Sequence, residues 1–304
     1  MKFAPIILFV YNRPVHTRRA VEKLLQNAEV CDSELFVYSD APKNPEAGEA
    51  VREVRAYIRT ISGFRSVNII ERDKNWGLAA SIIDGVTSVV NKYGRIIVLE
   101  DDLVVSPHFL GYMNAALERY QDNERIMQIS GHIFPAKLAA TTDAVFLSMT
   151  TSWGWATWTR AWKHFDTDAK GYAQLKQDAV LQKRFNLDGA YDYFSMLEAQ
   201  LSGRVDSWAI RWYLSVFMLG GLVLFPVKSL VKNVGFDGSG THCGAGESAV
   251  EFTSEFNVKI FPPVVEDSAV QQAINRYLIE QRSYISGLRA KLAKWLRPNM
   301  SWTI

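Results

Sequence analysis

The chain has 304 residues, 48% hydrophobic and 22% charged, with 34 basic against 32 acidic side chains for a formal charge of +2. A chain this long buries about 75% of its unfolded surface, so it needs no disulfide or structural metal to hold a core, and its balanced charge supplies no general field for nucleic acid. Cys31 and Cys243 lack CxxC spacing and the five histidines are scattered, which argues against a disulfide framework or zinc site and fits a reducing, cytoplasmic compartment.

The opening MKFAPIILFVYNRP contains an apolar run with Pro5 inside it and no small-residue cleavage site, so it reads as a first strand over 6–10 rather than a signal peptide. Further strands are predicted at 35–39, 67–71, 95–99 and 126–130, all too apolar for a sheet with one wet face. Between them, Ala20, Val21, Leu24, Leu25 and Ala28 mark one helix face, Val51, Val54, Ile58 and Ile61 a second, and Leu78, Ile82, Val86 and Val90 a third. This alternation predicts an α/β fold with a mostly parallel sheet flanked by helices. Ligands of such sheets bind beyond the carboxyl ends of the strands. Tyr11-Asn12-Arg13-Pro14, Asp40, residues 72–76 and Glu100-Asp101-Asp102 occupy those positions.

From residue 151 the composition shifts, and six of the nine tryptophans lie between Trp153 and Trp212. Helices are predicted at 172–185, 190–201 and 208–219, followed by a strand at 222–227, a glycine-rich loop at 235–246 and a final helix at 269–296. The apolar run 212–227 is interrupted by Gly220 and Gly221 and falls short of the roughly 20 residues of a membrane span. Three parts follow: residues 1–150, 151–265 and 266–304.

The sharpest local feature is RIIVLEDDLVVSPHF, an apolar strand ending in three carboxylates. Their mutual repulsion calls for a cation, and hard oxygen ligands suit Mg²⁺ or Mn²⁺ bridging to a diphosphate. A first-turn charge for a helix near Pro107 would explain one acid, not three.

An acidic DXD-type motif at a strand end, within opening βαβ units, resembles the GT-A glycosyltransferases, and LEDD resembles the EDD motif of the N-acetylglucosaminyltransferase I family and its bacterial relatives. The resemblance implies a nucleotide-sugar and metal-binding half (1–150) fused to a smaller acceptor-binding half (151–265) with a donor-covering loop. Tyr11, Asn12 and Arg13 match the first-strand segment whose Arg reaches the diphosphate, Asp40 the Asp that recognises uracil, and Asn75 the helix start that contacts the nucleotide sugar. Asp102 is the implied metal ligand, with Glu100 and Asp101 orienting ribose, sugar or metal waters. SWGWATW resembles the acceptor-side GLGW-type segment, which gives Trp153, Gly154 and Trp155. NVGFDGSGTHCG resembles the FGxxGxSHG loop over the donor, which gives Thr241 and His242. Simpler readings stand beside these: a helix start at Arg13-Pro14, an Asx turn at Asp40, tryptophans as core and a solvated loop at His242.

Inverting sugar transfer to a hydroxyl needs a carboxylate to take the acceptor proton. The resembling family carries it in a WDDW-type segment, but this chain reads VDSWAIRW and has Ala209 at the expected position. Asp206 is therefore the first candidate and Glu198 the second, while Asp206 also suits the N-cap region of the following helix. The resulting expectation is a metal-dependent, inverting transferase using a UDP-sugar, with UDP-N-acetylglucosamine implied by the resemblance. Its acceptor is a glycan or lipid-linked glycan in bacterial surface polysaccharide synthesis. The alternative is a non-catalytic nucleotide-sugar or glycan-binding protein. The tail from Arg276 to Arg297 carries six basic residues against Glu280 and an apolar stripe. It is either a packed helix with a solvated basic face or a peripheral contact with the anionic inner face of the membrane.

Overall fold

Five consecutive apolar residues form β1 (Ile6–Val10), buried along its whole length in the computed structural model, which describes residues 3–236 and 254–295, with 284–295 as backbone only. Pro14 opens α1 (Pro14–Leu24), where its fixed φ and missing N–H suit the first helical position. β2 (Glu34–Ser39), α2 (Gly48–Ile58), β3 (Ser66–Glu71), α3 (Leu78–Tyr93) and β4 (Arg95–Glu100) continue the alternation. The helices bury the faces their spacing predicts, through Val21 and Leu24 on α1, Val54 and Ile58 on α2, and Ile82, Val86 and Val90 on α3.

β2 and β4 flank β1 and β3 lies outside β2, all parallel. The chain therefore walks outward to β3 and returns across β1 to β4. That reversal opens a crevice at the carboxyl ends of β1 and β4, where open α/β sheets take their ligands. β3 is half-buried throughout, unlike the fully covered strand its apolar sequence suggests, because it is the edge strand.

Beyond β4 come β5 (Leu103–Val105), α4 (Phe109–Arg119), β6 (Ile126–Ser130), β7 (Ala144–Leu147) and β8 (Trp155–Trp158). Helices α5 (Thr159–Trp162), α6 (Tyr172–Gln177), α7 (Ala179–Phe185), α8 (Tyr193–Leu201) and α9 (Trp208–Met218) precede β9 (Leu222–Pro226), β10 (Val231–Asn233) and α10 (Ser268–Trp295). The helix predicted over 172–185 is broken at Asp178, whose carboxylate caps α7 by accepting from the amides of Val180 and Leu181. Eight strands form one sheet in the order β3-β2-β1-β4-β8-β6-β9-β7, and β5 and β10 form a separate antiparallel ribbon. β8 runs antiparallel between β4 and β6, so the predicted boundary at residue 150 crosses a continuous sheet. Among the described residues no helix is long and apolar enough to cross a membrane.

The tryptophans of the second half serve mainly as core. Trp155, 1% exposed, stacks on Trp208 with ring centroids 5.1 Å apart, and Trp162 lies 5.1 Å from Trp212. Their indole N–H groups find partners: Trp212 donates to Gln128 Oε1, Trp158 to the Leu117 carbonyl and Trp162 to Thr87 Oγ1. This aromatic block fastens α5 and α9 to the sheet, because large rings combine apolar area with favourable stacking. Trp155→Ala should cost about 3–5 kcal/mol through lost burial and the cavity left behind, read as a lowered urea midpoint. A change under about 0.5 kcal/mol, the range of a surface site, would remove Trp155 from the core.

Candidate active site

The crevice between β1 and β4 brings the first basic residue after one strand against the acids after the other. Arg13 pairs with Asp101 through Nη2 and lies 3.2 Å from Asp102 Oδ2. The Tyr11 amide also donates to Asp101 Oδ2 at 3.3 Å. Phe9 is in register with Glu100, so the pairing of β1 with β4 fixes this meeting. Burial and the charges of Asp102 and Asp101 hold the Glu100 carboxyl well above the ordinary range. Burial also lifts Asp101, against the opposing pull of Arg13. At Arg13, burial works against the charged form, and the two aspartates outweigh it and raise the guanidinium pKa. One cation thus faces three carboxylates in a partly dry crevice.

Two observations bear on a further cation or anion here. Arg13 Nη1 is buried and has no hydrogen-bond partner among the described residues. Gly235, just after β10, approaches so closely that a Cβ there would lie 2.5 Å from Asp102 Oδ2 and 2.9 Å from Arg13 Nη1. Its neighbour Val234 donates its amide to the Asp102 carbonyl at 2.8 Å. Hard carboxylate oxygens beside an unsatisfied guanidinium nitrogen fit a divalent ion with a phosphate-bearing ligand. Among the described residues no three acidic, histidine or cysteine side chains converge to enclose a metal, so such an ion would draw its remaining oxygens from ligand and water, as Mg²⁺ commonly does. Asn12 is half-buried beside Arg13.

Asp40, after β2, is 8% exposed and accepts from the amides of Ala41, Trp76 and Gly77. Asn75 Nδ2 donates to the Ala41 carbonyl at 2.7 Å. Arg72, to which the sequence assigned no role despite its place at the end of β3, lies 3.8 Å from the Trp76 ring and pairs with Asp84. Arg55, also missed, donates from α2 to the Arg72 carbonyl at 2.6 Å and to that of Asp40 at 3.3 Å. It occupies a polar position of an amphipathic helix, and sequence alone does not tell such a tie from a solvated arginine. Tyr11 closes the group, its hydroxyl accepting from the Lys43 amide at 2.9 Å.

Of the two candidate bases, only Asp206 adjoins this region. A Cβ on Gly77 would lie 3.9 Å from Asp206 Oδ2, and Asp206 is 64% exposed, 3.8 Å from Arg211. Ser207, not Asp206, caps α9, its hydroxyl accepting from the Ile210 amide. Glu198 sits on α8 and accepts from the Tyr172 hydroxyl at 3.0 Å. Ala209 is half-buried on α9.

The predicted acceptor segment divides. Trp155 is a core side chain, which corrects its expected place against an acceptor. Gly154 has φ 63°, and a Cβ there would lie 2.8 Å from Val231 Cγ2, so it serves close packing. Trp153 is half-buried, 4.4 Å from the His132 ring and 5.8 Å from that of Phe236. Thr241 and His242 lie outside the described residues.

A parallel sheet that reverses at β1/β4, with acids beyond β4, is of the GT-A type. Residues 6–135 match the family described as Glycosyl transferase family 2. No curated protein matches the sequence. Among solved structures, S. aureus TarS is similar at 12% identity and a TM-score of 0.41, over 78% of this chain and 37% of that one, so the chain spans little more than a third of TarS. The mannosyltransferase PcManGT from Pyrobaculum calidifontis, solved with GDP-Man and Mn2+, is similar at 10% identity and a TM-score of 0.40, over 72% of this chain and 74% of that one. A UDP-glucose pyrophosphorylase complexed with UDP-glucose is similar at 10% identity and a TM-score of 0.38, over 76% and 92%.

His132, buried beside Trp153 with Nδ1 3.2 Å from Ser229 Oγ, has its pKa lowered by burial from 6.5 to about 3. The unfolded chain takes up this proton at higher pH than the folded one. The stability carried by the neutral ring is therefore complete above pH 6.5 and is lost as pH falls toward 3, at up to about 1.4 kcal/mol per pH unit. His132→Phe should flatten the acid limb of stability against pH across that window. An unchanged slope in urea unfolding would show that His132 does not contribute to it.

Proposed function

We propose that the chain is a metal-dependent glycosyltransferase that moves a sugar from a UDP-sugar to a glycan hydroxyl with inversion. The meeting of Arg13 with Glu100, Asp101 and Asp102 at the β1/β4 crevice carries this reading. Asp102 would hold Mn²⁺ or Mg²⁺, and the ion, when bound, neutralises charge on the departing diphosphate. Arg13 contributes a charge-assisted bond to the diphosphate from Nη1, which has no partner among the described residues. Tyr11, Asn12 and Asn75 line the donor side and Trp153 offers an aromatic face to the acceptor. Asp206, beside Gly77 and open to solvent, takes the acceptor proton, with Glu198 as the alternative base.

The finer parts rest on the motif resemblance and the tail pattern. They are N-acetylglucosamine as the sugar, a glycan or lipid-linked glycan acceptor in bacterial surface polysaccharide synthesis, and a cytoplasmic site of action with the basic tail against the anionic inner face of the membrane. A second reading, a non-catalytic nucleotide-sugar or glycan-binding protein, is favoured by Ala209 alone. UDP release from UDP-sugars with Mn²⁺ and glycoside acceptors separates the two: turnover supports the transferase, and donor binding without turnover supports the binder.

Asp102→Asn should abolish Mn²⁺-dependent UDP binding in calorimetry, and wild-type affinity in that variant would overturn the metal assignment. Arg13→Ala should weaken UDP by about 1.5–3 kcal/mol, the worth of a hydrogen bond to a charged group.

Asp206→Asn should lower turnover far more than donor affinity, since the group acts on the acceptor proton alone. If Glu198→Gln shows that split instead, the base is Glu198.

A further inference from the structure

We propose that Gln128 is a positioning residue for the acceptor side, because its amide joins the helix that follows Asp206 to the segment that carries Trp153. The side chain stands in the middle of β6 and is fully buried. Its Oε1 accepts from Trp212 Nε1 at 2.6 Å, and its Nε2 donates to the Thr151 carbonyl at 2.8 Å. An indole N–H only donates and a carbonyl only accepts, so a single orientation of the amide serves both partners. Burying an amide is costly unless its ends are paired, which makes this a poor position for a residue that merely fills space. Met127, just before it, is passed over in the pairing of β6 with β9, the kind of irregularity that re-aims a neighbouring side chain.

Ser130, two residues further along the strand and so on the same face, completes the clasp. Its hydroxyl lies 2.5 Å from Thr151 Oγ1, donates to the His132 carbonyl at 2.9 Å and accepts from the His132 amide at 3.2 Å. With the one Ser130 proton on that carbonyl, the Thr151 hydroxyl is the donor to Ser130. The His132 ring in turn lies 4.4 Å from that of Trp153. Trp153 is thus held through Thr151, two residues before it, and through His132 across its ring, and both holds run back to β6. On the other side, Trp212 is a buried residue of α9, whose first residue, Trp208, stands two residues after Asp206. Gln128 therefore sets the spacing between the half-buried indole offered to the acceptor and the carboxylate that takes its proton, a spacing on which alignment of the bound hydroxyl depends. The acceptor part of this inference rests on the transfer reading above, whereas the tie between β6, α9 and residues 151–153 does not.

The test is Gln128→Met, which keeps an unbranched side chain of similar length and removes both hydrogen bonds. With UDP-N-acetylglucosamine and an alkyl glycoside acceptor, the acceptor KM should rise about tenfold while the UDP Kd stays within about twofold, a split that loss of stability alone would not produce in the folded protein. In protein labelled with fluorotryptophan and free of ligand, the Trp153 fluorine resonance, assigned through Trp153→Phe, should move or broaden while that of Trp76 stays in place. An unmoved Trp153 resonance would overturn the inference. So would an unchanged acceptor KM, or equal losses of UDP and acceptor binding. If the wild type transfers no sugar, the transfer reading fails, and the Trp153 resonance of the variant still decides the tie: moved supports it, unmoved overturns it. If Gln128→Met does not fold, Gln128→Asn, one methylene too short to span both partners, is read by the same two measurements. If that variant also fails to fold, the side-chain NH₂ protons of Gln128 in the wild type decide: slow exchange supports the tie and rapid exchange overturns it.

Discussion

Arg13 reaches from the end of β1 toward the carboxylates of Asp101 and Asp102 at the end of β4, and the rest of the site is arranged around that pairing. Three acids in succession at a buried strand end repel one another and resist desolvation. A single guanidinium offsets part of that cost in the free chain. The sheet order makes the contact possible, because β1 and β4 are adjacent only where the chain reverses its direction across the sheet. The same geometry leaves the balance incomplete, with an excess of carboxylate and a guanidinium nitrogen that has no partner among the described residues. A site in this condition is predisposed to a ligand that carries both a cation and phosphate oxygens.

The first half of the molecule was legible because its signals are long and consistent. Ile6–Val10 and Arg95–Glu100 are nearly unbroken apolar runs, and helices such as α3 repeat their apolar residues with helical period. The strand-end residues followed from the topology alone, and Arg13, Asp40 and the three acids all stand there. β5, β7, β8 and β10 went unread because runs of three or four residues carry too little periodicity. In Trp155–Trp158 the aromatic content suggested a ligand surface where a central strand was forming. Tryptophan burial is decided by what packs against it, and Trp208, the ring stacked on Trp155, lies some fifty residues further along the chain.

Residue roles were harder to read than residue places. Asp40 was open to two readings from its neighbours Ala41 and Pro42, and beside the adjacent Ala41 amide its partners Trp76 and Gly77 come from beyond α2 and β3, where no local pattern reaches. Arg55 and Asp206 show the same limit: one is tied to strand-end carbonyls and the other set beside Gly77 by long-range contacts. Polar residues that work through backbone groups leave little trace in a sequence, since nearly any segment can supply an amide or a carbonyl.

The two-stranded ribbon of β5 and β10 adds a constraint of another kind. Its register sets Val231 against Val105 and Asn233 against Leu103, and the chain leaves it directly onto Asp102 through Val234 and Gly235. Side chains alternate faces along a strand, so a slip of one residue would turn every side chain of β10 over and carry Gly235 away from the acids. The segment between β9 and Gly235 is therefore governed by its length as strictly as the acid cluster is by its composition. An insertion or deletion of a single residue there would break this register, and gaps in this segment would separate sequences that keep the site from those that have lost it.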